Sequence, residues 1–155
     1  MADAKPPRLA GSERSTVGAL LQYQRNSFVR KLSGVREEDA RSSPVGSGTS
    51  LLWLANHIAD AEVVWLLHRF SGRRGEPDDS EHAATVDEAL ARYEGVRAEV
   101  DGLVAASDLD QLCPPFDDRP PVNLRWILAH LLEETARHAG HADILREMID
   151  GSTGR

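Results

Sequence analysis

Residues 127–151 read ILAHLLEETARHAGHADILREMIDG, and the period of this stretch decides the fold. His130, Glu134, His138 and His141 follow one another at spacings of four, four and three. At ~100° per residue these positions fall within about 80° of arc, so on a helix they form one stripe. Glu133 lies about 60° to its side. The stripe runs on to Leu145 and Met148 and is flanked by Ile127, Leu131 and Leu132, which predicts that it faces inward. Asn123 precedes the run as a cap and Gly151 follows it as a stop, giving a helix from 124 to about 149.

Working backwards, residues 51–70 (LLWLANHIADAEVVWLLHRF) are apolar around most of a helical surface and predict the most buried element, capped by Thr49 or Ser50. Ala89, Leu90, Tyr93, Val96, Val100, Leu103 and Val104 mark a helix over 86–106 behind Thr85. Val17, Leu20, Leu21, Gln24, Phe28 and Leu32 mark a first helix over 13–32, stopped near Gly34. Between them lie 41–48 (RSSPVGSG), 71–82 (SGRRGEPDDSEH) and 107–122, which carries four prolines and cannot be helical throughout. No stretch alternates as a strand does. The expected fold is all-α: a four-helix bundle with long inter-helix loops, at least one crossing the bundle end. A single domain over 12–151 is expected, between tails at 1–11 and 152–155.

The chain has 155 residues, enough for one domain to bury a core without staples. Its only cysteine, Cys113, can form neither an internal disulfide nor a CxxC site and is read as incidental. Acidic residues outnumber basic ones, 25 to 18, for a net charge of −7. That excludes a nucleic-acid-binding or anionic-membrane surface, both of which need clustered Lys and Arg. No apolar run approaches a membrane span and the first residues lack a signal-peptide pattern, so a cytoplasmic location is expected.

The polar residues in the apolar segments carry the chemistry. His57 sits among Trp53, Leu54, Ile58, Ala61 and Val64. Glu134 and His138, one turn apart, can bite a single ion, and His57 from a facing helix would complete a three-point site. Two imidazoles and a carboxylate with open positions suit zinc, and also nickel, iron or manganese. The other reading pairs Glu134 with Arg137 or Arg125 and leaves the histidines to hydrogen-bond in the core. Asp60 and Glu62 are expected near His57, Asp60 three residues away to orient the ring or else as a surface carboxylate. His68 is expected to be partly exposed at its helix end. The three tryptophans are expected to pack between helices, with Trp126 near a pocket mouth. The Asp117-Asp118-Arg119 turn is expected to be solvated or to border that pocket.

The segments LLWLANHIADAEVVWL and ILAHLLEETARHAGHADILREMIDG resemble the DinB-like superfamily of metal-binding four-helix bundles, its mini-circle-protein branch above all, over about residues 12–151. The resemblance implies three metal ligands, one in the second long helix and two a turn apart in the last. These match His57, Glu134 and His138. Many members carry two histidines in the last helix, within a pattern ending His-Arg-Gly-Gln. This chain has Glu134 at the first position, as in the similar mycothiol-dependent maleylpyruvate isomerase with its His, Glu, His zinc site, and Gly140-His141 in place of Gly-Gln.

The resemblance implies a divalent metal, zinc before nickel, iron or manganese, and a low-molecular-weight thiol cosubstrate such as mycothiol. The expected activity is a thiol S-transferase or isomerase acting on small electrophiles. The alternatives are a metal-dependent hydrolase using bound water and a non-catalytic metal-binding stress protein. His141 and His130 would face the substrate and serve as general acid or base, since imidazole titrates near neutrality. A homodimer is implied by analogy with superfamily members.

Overall fold

The computed structural model describes residues 5–73, 82–115, 118 and 120–153. Parts of both expected tails, and Asp117 and Arg119 of the turn expected at the pocket, lie outside the described residues.

The helices begin and end where side chains can satisfy their free backbone groups. Helix α1 (Glu13–Leu32) starts behind Ser12, whose hydroxyl accepts from the Ser15 amide at 3.2 Å. The short α2 (Glu37–Arg41) lies in the first connection, where no helix was expected. Helix α3 (Leu51–Glu62) is capped by Ser50, which accepts from the Trp53 amide at 3.1 Å. Helix α4 (Val86–Ala106) opens with a reciprocal box: Thr85 accepts from the Glu88 amide and the Glu88 carboxylate accepts from the Thr85 amide. Helix α5 (Leu124–Asp150) starts behind Asn123 and ends at Gly151, whose φ of 74° is the left-handed stop that glycine provides.

The second long helix departs from the uniform α-helix its sequence predicts. From Val63 to Phe70 it continues α3 as a π-helix, with the Ser71 amide bonding back to the Leu66 carbonyl at 3.0 Å. The wider turn re-phases the side chains after Glu62. Trp65 thereby meets Trp126 and His130 of α5, at ring-centroid distances of 5.1 and 4.8 Å. Its only local signal is the crowding of two adjacent β-branched residues, Val63 and Val64, ahead of Trp65.

Side-chain pairs fix the helix directions. Glu13 meets Arg125 at one end of α1 and Lys31 meets Asp143 at the other, so α1 and α5 run parallel. Asn56 meets Ala83 just ahead of α4, Asp60 meets Arg92, and Arg73 after the π segment meets Glu99, so α3 and α4 also run parallel. His57 to His138 and, further along the same helix, Trp65 to His130 set α3 and its π continuation antiparallel to α5, and so to α1. Since α3 and α4 are consecutive yet parallel, Arg73 after the first and Thr85 before the second lie toward opposite ends of the pair; most of the connection between them, where a crossover is expected, lies outside the described residues.

A polar layer divides the core. Phe28, Leu32, Leu51, Leu54, Ile58, Val86, Ala139 and Leu145 pack on one side of it. Leu21, Leu66, Phe70, Val100, Leu124, Ile127, Leu128 and Leu131 pack on the other. Between them Arg25 grips the wholly buried Glu62 through two hydrogen bonds, 2.8 and 2.5 Å long. Tyr93 donates its hydroxyl to the same carboxylate at 3.0 Å, and Arg25 also reaches Asp101 at 2.7 Å. Burial works against the Arg25 charge, but the Glu62 carboxylate and the hydrogen bonds to Glu62 and Asp101 outweigh it and hold the proton more tightly than usual. Burial pushes the Glu62 carboxyl up, against the pull of Arg25 and Tyr93. A buried carboxylate with every oxygen bonded tolerates only a matching cross-section of the three helices, α1, α3 and α4, that supply the layer.

Candidate metal centre

Helices α3 and α5 cross antiparallel beside this layer and bring three donors together. Glu134 Oε2 lies 3.2 Å from His138 Nε2 on its own helix and 4.0 Å from His57 Nε2 on α3. One ligand atom from each of the three residues can be chosen so that all lie within 4.8 Å of one another. Tetrahedral donors about 2.1 Å from a shared ion stand ~3.4 Å apart, so two donors 4.8 Å apart would each have to move by about 0.7 Å to share one.

The surroundings favour that use over core hydrogen bonding. Neither arginine that could neutralise Glu134 does so. Arg137 is held by Glu133 at 2.7 Å, and Arg125 by Glu13 at 2.6 Å and by Asp110. The partners of Glu134 among the described residues are the two imidazoles. Burial, and then the neighbouring His57, holds the His138 imidazole below its usual 6.5, against the opposite pull of Glu134. Neutral imidazole is the form that binds a metal.

The expected stripe on α5 lies along the edge of the core-facing side: His138 and Leu145 are buried with Leu131, Thr135 and Ala142, His130 and Glu134 are half-buried, and His141 and Met148 are exposed. The donors thus stay within reach of a small molecule. His141 Nδ1 lies 3.3 Å from His138 Nδ1, so His141 adjoins the centre directly. His130, one turn before Glu134, lies in an aromatic group instead, stacked on Trp126 at 5.0 Å and edge-on to Trp65 at 4.8 Å.

Two expected helpers of His57 are engaged elsewhere. Asp60 bonds His82 at 2.7 Å and Arg92 at 2.6 Å, while Glu62 belongs to the buried layer. What supports His57 is Trp53, one turn earlier, stacked on its ring at 4.8 Å with planes 8° apart. Trp53 and Trp126 do not pack between helices as expected: they are 48% and 45% exposed and border the α3–α5 groove. His68 is half-buried at its helix end, as expected, and Cys113 is buried among apolar residues. Arg25 was not singled out by the sequence reading, although it lies four residues after Leu21 and seven before Leu32, on the apolar stripe that had been extended to half-buried Gln24.

A family model described as mycothiol-S-transferase matches residues 16–151. The chain belongs to the mycothiol-S-transferase family. Among solved structures, a conserved protein from Enterococcus faecalis is similar to this family member at 20% identity, with a TM-score of 0.68 over 92% of this chain and 100% of that one. At that identity the likeness shows the all-α, DinB-like fold alone. No curated protein matches this mycothiol-S-transferase family member significantly. Among the described residues, no helix is long and apolar enough to cross a membrane.

Proposed function

We propose that the chain is a divalent-metal-dependent thiol S-transferase that joins a mycothiol-type thiol to a small electrophile. The observation that carries this reading is the convergence of His57, Glu134 and His138 from two helices, with Glu134 left unneutralised by Arg125 and Arg137. Membership of the mycothiol-S-transferase family supports the thiol half of the reading. His57, Glu134 and His138 would hold the ion, zinc being the best match to two imidazoles and a carboxylate. Such an ion favours ionisation of a thiol brought to it.

The residues of this chain supply the rest. Trp53 holds the His57 ring in plane, and the buried His138 keeps its imidazole neutral. The exposed His141, bonded to His138, is placed to pass the thiol proton to water. The sulfur then forms its bond to the electrophilic carbon as the bond to the leaving group breaks, and the bonding pair departs with that group. His130, framed by Trp65 and Trp126, faces the same groove as a substrate-contacting group.

Elemental analysis of protein purified without a histidine tag tests the reading. Near-stoichiometric metal that disappears in both His57→Ala and His138→Ala, together with mycothiol consumption that follows metal content, is expected. Folded variants and wild type all free of metal after zinc reconstitution would sink it.

A further inference from the structure

Resting on the transferase reading, we propose that a cavity beside His141 is the electrophile subsite, and that it selects an uncharged, mainly apolar electrophile about the size of one substituted benzene ring. The cavity encloses about 290 Å³ and is lined by Val45, Ser47, Thr49, His141, Ile144 and Leu145. A cavity of about 150 Å³ accepts benzene, so this one has room for a ring and a reactive side group.

The lining argues for the chemical class. Ile144 and Val45 are 60% and 40% exposed, and buried Leu145 stands with them at the wall. Apolar side chains left in water on both sides of an opening gain when an apolar occupant covers them. The polar side chains at the rim are already engaged, Ser47 Oγ and Thr49 Oγ1 bonding each other at 2.9 Å. The wall on the loop side is built. Gly48 takes a φ of 79°, which favours glycine, and its amide closes a turn onto the Val45 carbonyl at 3.1 Å. That turn sets Val45 and Thr49 against the end of α5.

His141 gives the cavity its direction. It lines the cavity, and its Nδ1 lies 3.3 Å from Nδ1 of His138, the nitrogen opposite the Nε2 that faces Glu134, so the cavity begins one imidazole ring away from the triad. An occupant with its apolar body against Ile144, Leu145 and Val45 and its reactive carbon extended past His141 and His138 would offer that carbon to a thiol whose sulfur is held at the triad. The reaction forms one C–S bond and breaks one carbon–leaving-group bond, with no change of oxidation state in the thiol–electrophile pair. For 4-nitrobenzyl chloride, chloride departs with the bonding pair and the thiol proton goes to buffer.

The test uses the full-length, zinc-loaded protein and the unreactive mimic 4-nitrobenzyl alcohol, followed by amide chemical shifts. Shifts concentrated at residues 45–49 and 141–145 are expected. Ile144→Asp, and independently Val45→Asp on the loop side, are expected to weaken binding about tenfold, as loss of an apolar contact does. With mycothiol as thiol, the ratio of kcat/KM for 4-nitrobenzyl chloride to that for the small, polar iodoacetamide is expected to fall by about tenfold in the same variants. Shifts centred on Trp65 and Trp126, or ratios within about twofold of wild type at equal zinc content, would overturn the assignment. If neither electrophile is turned over but both variants still weaken the alcohol, the transferase reading fails and the cavity stands as a ligand site.

Discussion

Glu134 Oε2 stands 3.2 Å from His138 Nε2, one helical turn away, with no arginine or lysine among the described residues answering its charge. Under the proposed function that carboxylate is one of the three metal donors. Glu134→Gln keeps the shape and removes the charge. Since loss of a supporting hydrogen bond alone costs about 10–100-fold in metal affinity, loss of this ligand is expected to cost at least ~100-fold. Competition with a chelating dye checks the figure. Far-ultraviolet circular dichroism should not change, because the side chain lies on the groove rim.

Trp53 stacks on His57 at 4.8 Å and is half exposed. An ion drawing electron density from that imidazole alters the environment of the indole. Zinc titration is expected to change tryptophan emission with an endpoint at one equivalent. Trp53→Phe should abolish most of the change while retaining zinc by elemental analysis. An unaltered signal in Trp53→Phe would move the reporter to Trp65 or Trp126.

Acid should loosen the metal-free fold through His138. Its folded pKa lies below 6.5 because of burial and then the neighbouring His57. A group depressed in the folded state contributes stability above its unfolded value and loses it as pH falls towards the folded value. The metal-free protein should therefore lose Tm between about pH 7.5 and about 5.5, where an unfolded histidine takes up its proton. The loss should be smaller in His138→Gln. Zinc should be released at lower pH, as pH falls below about 6.5, since protonated imidazole cannot coordinate.

Arg25 and Glu62 give a stability prediction independent of the metal. Glu62→Leu leaves Arg25 charged and buried, and removing one member of such a pair costs about 3–5 kcal/mol. Adding Arg25→Met and Tyr93→Phe to Glu62→Leu removes every orphaned group and should recover most of that loss. Urea unfolding of the single and triple variants measures both. A triple variant no more stable than the single one would contradict the account of the layer.

Much of the fold was readable because short polar side chains mark the helix ends. Thr85, Asn123 and Gly151 each supply a local interaction that depends on few neighbours, so the limits of α4 and α5 agree with the sequence reading. His57, Glu134 and His138 were legible because i,i+4 spacing fixes two donors on one face and an apolar setting makes a third conspicuous. The rest depended on partners distant in sequence. The π segment turns Trp65 onto Trp126 and His130 of α5, contacts that local sequence does not carry. That no arginine among the described residues answers Glu134 follows from where Arg125 and Arg137 find their partners. Trp53 looked like core because its neighbours are apolar, yet it covers His57 at the surface. The Val45–Gly48 turn read as linker, and only its position against Ile144 makes it a wall.

The helices at the two ends of the chain, α1 and α5, form the most extensive interface in the bundle, tied at one end by Glu13 and Arg125, 112 residues apart. On the ribosome the first helix therefore has no native neighbour along that face until the last one has emerged. The same holds for the proposed metal centre, since His57 waits on α3 for Glu134 and His138. A nascent chain lacking α5 carries only His57 of the three proposed donors. Synthesis itself would thus keep metal capture until the bundle can close around it.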